Sequence, residues 1–233
     1  MRTSVLALAP VLVLGLVGCG TNPAEAYKNT DPTTIATQAH AALKATTSLH
    51  VTGTVQFGTD SVTVDLSSDL AGALTGTATI DGATVQILGT GGKNGVVYVK
   101  ASQDFWGKIT PQYAGRLVGK WVSDVQPLPA NLEALSLPKL IKNEDTYPWE
   151  KEQPTLVGTG SVQGTPTVQI SVTDGSGGAA ELLEVDANDP HHVVKESEGS
   201  SFTLTFDGFG AAVTATPPPA ASVVDFTKIV AQK

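Results

Sequence analysis

The stretch AALKATTSLHVTGTVQF, residues 41–57, decides the fold, because the spacing of its apolar residues changes in the middle. Upstream of it, Asp31 supplies a helix N-cap and Pro32 a first helical residue, and apolar residues then recur at helical spacing. This pattern predicts a helix over residues 32–47. From His50 onward every second residue is apolar or small, which is typical of a strand with one buried face. The sequence therefore predicts a helix that leads directly into a sheet.

The alternating pattern continues along the chain. It predicts an antiparallel meander of five strands from about His50 to Lys100, with hairpin signals at Asp81-Gly82 and at TGGKNG, residues 90–95. Five further strands are expected between residues 155 and 210, separated by the turn segments GSGG and ANDP.

Residues 102–150 interrupt the strand pattern. They contain all three tryptophans, Trp106, Trp121 and Trp149, and leucines that predict one or two short helices interrupted at Pro138. The tryptophans could frame a cavity mouth, lie against a membrane, or pack this insert on the sheet.

About ten strands in one sheet would twist and curl strongly. We therefore expect an α+β fold, a strongly curved antiparallel half-barrel wrapped around an N-terminal helix and short central helices. Neither half has enough helix to cover its own sheet, so residues 31–233 are predicted to form a single domain.

The N-terminus has the features of a secretory signal. A positive start precedes the apolar stretch 5–17, whose roughly 13 residues fall short of the ~20 needed to span a bilayer. The stretch ends in Leu16-Val17-Gly18-Cys19, which resembles a bacterial lipobox, so the Cys19 thiol is expected to be acylated, with palmitate or a similar chain, and to anchor the protein to the membrane. The alternative is a signal peptide with an incidental cysteine. We assign residues 1–18 to the signal peptide and 19–30 to a lipidated tether.

The charge balance argues against some partners. The chain has a net charge of −8 and a pI near 4.9, so electrostatic binding to nucleic acid or to an anionic lipid surface is not expected. Membrane contact should instead come from the acyl anchor and apolar surface.

Residues 41–57 are also similar to the opening of the actinobacterial lipoprotein family that includes LppX, LprA, LprF and LprG. In that family a helix ends in Leu-Lys and a Ser-aliphatic-His-Val run enters the first strand, as Leu43-Lys44 and Ser48 to Val51 do here. The segment GKWVSD, residues 119–124, and the closing stretch FDGFGAAVTATPPPAASVVDF, residues 206–226, resemble family segments too.

The resemblance implies a half-barrel related to the lipoprotein carriers LolA and LolB. It also implies an apolar cavity for the acyl chains of lipids or glycolipids, movement of these lipids through the cell envelope, and an envelope transporter as a possible partner. The alternative is a membrane-tethered interaction module with a filled core that assists an envelope enzyme or transporter.

Inward-facing aliphatic residues of the strands are the candidates for lining such a cavity, or else for packing on the helices as an ordinary core. They are Val51, Val55, Val62, Val64, Val85, Ile87, Val97, Val99, Val168, Ile170 and Val172.

Catalytic and metal sites are not expected. His191 and His192 are adjacent and would point to opposite faces of a strand, and His40 and His50 lie on different predicted elements without a neighbouring carboxylate motif. No G-x-S-x-G nucleophile motif is present, and GTGGKNG, residues 89–95, lacks phosphate-loop spacing. We therefore predict a non-enzymatic protein with no cofactor and no metal.

Overall fold

The described part of the chain forms one curved, unclosed sheet of twelve strands with helices against its inner face. The computed structural model describes residues 22–57, 60–125, 132, 134–173 and 179–231. The order of strands across the sheet is β12-β6-β5-β4-β3-β2-β1-β11-β10-β9-β8-β7. The predicted α+β curved sheet is confirmed, with two more strands than the expected ten.

The strands are short, and among the described residues all neighbouring strands are antiparallel except β12 and β6, which pair in parallel. Their bounds are β1 Ser48–Phe57, β2 Asp60–Asp69, β3 Ala73–Ile80, β4 Ala83–Thr90, β5 Val97–Ala101, β6 Trp121–Ser123, β7 Thr155–Val162, β8 Thr165–Val172, β9 Glu181–Asp186, β10 Val193–Glu198, β11 Phe202–Asp207 and β12 Val223–Asp225. The two strands that the alternation did not predict, β6 and β12, have three residues each, too few to show a period.

Strand β1 lies at the centre of the sheet and joins the two meanders. It pairs with β2 on one side and with β11 on the other, with Val51 opposite Phe206. Gly53 in this strand has φ +151°, and a Cβ built there would lie 2.0 Å from the Thr203 carbonyl oxygen. The close approach of β11 to β1 therefore requires glycine at this position.

Helix α2, Pro32–Ala45, covers the inner face of the sheet and confirms the helix predicted over 32–47. The Asp31 carboxylate caps it by accepting from the backbone N–H groups of Thr33 and Thr34. Its apolar stripe is fully buried at Ile35, Ala36 and Ala39.

Helix α1, Pro23–Tyr27, lies within the segment predicted to be a slack tether. Ala24 and Tyr27 are buried in the hydrophobic core, and the Tyr27 ring stacks on His191 with 4.2 Å between ring centroids. From Asn22 onward this segment is therefore packed on the domain. The prediction failed here because a five-residue helix is too short to show a helical period. Residues 1–21, including the predicted signal peptide and Cys19, lie outside the described residues.

The described residues of the insert form three α-helices, α3 Gln103–Ile109, α4 Ala114–Leu117 and α5 Leu137–Thr146. A 3₁₀ turn at Trp149–Lys151 follows α5. The interruption predicted at Pro138 lies two residues earlier, at Ser136, between the 3₁₀ geometry of residues 134–135 and the start of α5. Pro138 lies in the first turn of α5, where its missing N–H would have no partner in any case. Trp106 and Trp149 are buried, so both pack in the interior.

The last element, α6 Phe226–Val230, packs Ile229 into the core after β12. Among the helices of the described residues, none is long and apolar enough to cross a membrane.

Candidate ligand-binding site

A cavity lies between α2, α5 and the inner face of the second meander. About 90 Å³ of it is open to the centre of a water-sized sphere, which is room for only a few water molecules. It is lined by Leu43, Leu49, Leu140, Asn143, Glu144, Tyr147, Trp149, Glu152, Glu181, His192, Val193, Glu196, Phe206 and Phe209.

One side of the cavity is apolar. Leu43 of α2, Leu49 of β1 and Phe206 of β11 line this side. Tyr147, directly after α5, is 63% exposed and so marks the opening to solvent. This side suits a hydrocarbon surface.

The other side carries carboxyl groups, and Glu144 of α5 is the most buried of them, at 3% exposure. One of its oxygens accepts from the backbone N–H of Trp149 at 2.5 Å. Burial raises the pKa of Glu144 to about 8, because the backbone hydrogen bond offsets only part of the cost of burying the charge; the nearby carboxylates of Glu181, Glu150 and Glu152 raise it further.

Glu181 of β9 and Glu196 of β10 form a hydrogen-bonded carboxyl pair on the opposite wall. Glu196 pairs in register with Leu183, two residues from Glu181, so both acids lie on the inward face. Burial raises the pKa of each carboxyl group, and one proton shared between them fits this arrangement. Glu181 Oε1 is buried without a hydrogen-bond partner, which leaves an acceptor for a polar group of a ligand.

His192 closes the cavity between the two walls. Its ring stacks on Phe209, with 3.9 Å between ring centroids and an interplanar angle of 7°. Burial lowers the pKa of His192, and the charge of Asp186 opposes this only in part. The imidazole therefore favours its neutral form, so it offers the cavity an uncharged aromatic surface.

The structure places the eleven predicted lining residues in the core instead of on this cavity. Nine of them are almost fully buried, while Val55 and Val97 are partly buried and pack against the same core. None of the eleven is among the residues that line the cavity described above. Their contact with a ligand stays a prediction.

The acidic wall was not predicted from the sequence, although a signal for it was present. Glu181 occupies an inward position in β9, where the other inward residues, Leu183 and Val185, are aliphatic, and Glu196 occupies an inward position in β10. A charged residue at such a position is rarely buried without a partner or a function. The pairing of His40 with Asp145 and Glu150 was not predicted either, because these residues belong to α5 and the 3₁₀ turn, about a hundred positions later in the chain.

Comparison with solved structures shows the fold. The crystal structure of LprF from Mycobacterium bovis aligns with 81% of this chain and 97% of its own chain, at 18% sequence identity and a TM-score of 0.52. The MucA/MucB complex of Pseudomonas aeruginosa is more distant: it covers 79% of this chain and 59% of its own, at 16% identity and a TM-score of 0.39. No protein-family model and no curated protein sequence matches the chain. The chain thus has an LppX/LprF-like, LolA-type fold, as the resemblance of residues 41–57 implied.

Proposed function

We propose that this protein, with its LprF-like fold, is a lipid-anchored protein of the cell envelope that binds the acyl chains of a lipid or glycolipid and carries or presents it across the envelope. The mixed lining of the cavity carries the proposal: an apolar side for a hydrocarbon chain lies opposite carboxyl groups that can hydrogen-bond a polar head. The proposed role is binding without catalysis, with an envelope transporter as a possible partner.

The cavity is too small for an acyl chain as it stands, so lipid binding requires part of its wall to move. Space for a few waters does not hold a whole acyl chain, so α5 and the 3₁₀ turn at Trp149–Lys151 must shift outward as the chain enters. Helix α5 is suited to this because only Leu137 and Glu144 of its ten residues are buried. A helix with so few buried side chains can be displaced at low cost.

Retention of lipid is the direct test. The protein with Cys19→Ser, which carries no acyl anchor of its own, is purified under mild conditions and examined by native mass spectrometry. We expect a bound mass in the range of a lipid or glycolipid, and uptake of a fluorescent fatty acid by the stripped protein. A spectrum of unliganded protein together with no uptake of the probe would count against lipid binding.

A matched pair of substitutions locates the binding site. Val193→Phe adds bulk beside the cavity, whereas Val168→Phe adds the same bulk in the solid core of the same meander. We expect Val193→Phe to reduce probe uptake with little loss of stability. Val168→Phe should cost about 1–3 kcal/mol of stability and leave uptake by the folded fraction intact. Equal uptake by both variants would place the ligand elsewhere.

A second candidate function is a tethered interaction module that assists an envelope enzyme or transporter. The close packing of the inward aliphatic residues favours it, because the greater part of the space between helices and sheet is filled. The same lipid experiments separate the candidates, since an interaction module would carry no lipid.

A further inference from the structure

The junction between α2, α5 and the 3₁₀ turn brings together three side chains with metal-ligating atoms. His40 of α2, Glu144 of α5 and Glu150 of the 3₁₀ turn each offer one ligand atom, and these atoms all lie within 4.8 Å of one another. We propose that these three residues bind a divalent transition-metal ion, best matched by Zn²⁺, which fastens α2 to the movable wall of the cavity.

The distance between the ligand atoms of His40 and Glu150 suits a small ion. Zn²⁺ binds nitrogen and oxygen ligands at about 2.1 Å in tetrahedral geometry, which sets neighbouring ligand atoms about 3.4 Å apart. His40 Nδ1 lies 3.4 Å from Glu150 Oε1. Three protein ligands leave a fourth position for water or a ligand group, as zinc sites with an open position do.

Groups outside the ligand set hold the ligands in orientation. The other ring nitrogen of His40, Nε2, lies 3.3 Å from Asp145 Oδ1, so it can donate its N–H there while Nδ1 faces the ion. Lys44 in turn donates to Asp145 at 2.8 Å, and the Trp149 N–H holds one oxygen of Glu144. A carboxylate on the far nitrogen of a ligating histidine is the usual support of a metal site.

The surroundings of the two carboxyl groups support the same conclusion. In the part of the chain that the structure describes, neither Glu144 nor Glu150 forms an ion pair with a lysine or arginine. Glu150 Oε2 is a buried atom without a hydrogen-bond partner. A divalent cation would give both carboxyl groups a positively charged partner and supply the contact that this oxygen lacks.

Metal-dependent stabilisation tests the proposal. Protein with Cys19→Ser, which has no thiol to compete, is freed of metal with EDTA, and its thermal unfolding is followed with ZnCl₂ or with CaCl₂. For a micromolar site, 100 μM Zn²⁺ should raise Tm by roughly 5–10 °C, whereas Ca²⁺, which prefers all-oxygen sites, should have little effect. A Tm that Zn²⁺ does not move, or one that Ca²⁺ raises as far, overturns the proposal.

Variants assign the ligands through the zinc-dependent increment in Tm, which is separate from the stability of each variant without metal. His40→Ala and Glu150→Gln should each lose the increment, and Asp145→Asn should weaken zinc binding about 10–100-fold in calorimetric titration. His50→Ala is the matched control, because His50 also lies between two carboxylates but in no cluster of three ligands among the described residues. An increment that survives in both ligand variants, or is lost in the control, refutes this site.

Discussion

Replacing Gly53 by alanine should weaken the pairing of β1 with β11, which joins the two halves of the sheet. A Cβ at this position would lie 2.0 Å from the carbonyl oxygen of Thr203 and 2.9 Å from Cα of Leu204, both on strand β11. Ordinary van der Waals contact begins at 3.4 Å, and both obstructing atoms belong to the backbone. No side-chain rotation can relieve the clash, so β11 must move away from β1. The contact with the Thr203 oxygen is shorter than ordinary contact by more than about 1 Å, which sets the size of this movement.

Two contributions set the size of the effect. An L-residue at φ +151° costs about 1–3 kcal/mol, as for other sparsely populated backbone conformations. Moving β11 weakens the ladder hydrogen bonds next to Gly53, each with a net contribution of about 0.5–1.5 kcal/mol. We therefore expect Gly53→Ala to lower the free energy of unfolding by about 3–5 kcal/mol.

Urea unfolding followed by circular dichroism measures this loss as a fall in the transition midpoint at unchanged slope. Gly107 provides the control: it lies in helix α3, and a Cβ placed on it would meet no atom within 4 Å. Gly107→Ala should stabilise the protein by about 0.5–1 kcal/mol. A loss below about 1 kcal/mol for Gly53→Ala would refute the close approach of β11 to β1.

Three further predictions concern other parts of the molecule. Hydrogen bonds from His50 to Asp65 and Asp207 outweigh the opposing effect of burial and raise the pKa of His50. Because the pKa of His50 is higher in the folded protein, its protonation stabilises the fold, fully so below about pH 6.5, the pKa of a histidine in the unfolded chain. This stabilisation is lost as the pH rises through the higher pKa of His50 in the folded protein. The stability difference between wild type and His50→Gln, about 0.5–1 kcal/mol at about pH 6, should therefore shrink towards about pH 9 in urea titrations; a difference that grows with pH would contradict this. Tyr27→Ala should lower the free energy of unfolding by about 2–3 kcal/mol in the same assay, because Tyr27 packs α1 on the core. A loss below about 0.5 kcal/mol would instead indicate that residues 22–30 form a flexible tether. Cys19→Ser should move the protein from the membrane fraction to the medium in a fractionation blot, and retention in the membrane would contradict acylation.

Local patterns were sufficient to predict most of the secondary structure. The N-cap at Asp31 and the turn at Asp81-Gly82 act within a few residues, so the helix and hairpins that they begin could be identified from sequence. The pairing of β1 with β11 could not, because no local signal links Val51 to Phe206.

The candidate site was harder to predict for the same reason. Whether an inward aliphatic residue such as Val85 packs in a solid core or faces a cavity depends on where the insert helices lie, and alternation along one strand carries no information on that. Glu144 acquires its burial only when α5 docks beside α2 and the second meander.

The central position of β1 also has a consequence for how the chain folds. His50 pairs with Asp207, a partner 157 positions away, so the two meanders join only once the chain is available as far as β11. Contacts at such separation slow folding, because the entropy cost of closing a long loop comes before the stabilising contacts between its ends can form. Until β11 arrives, one side of β1 is a bare strand edge able to pair with a neighbouring chain, and a delay at this step would favour aggregation.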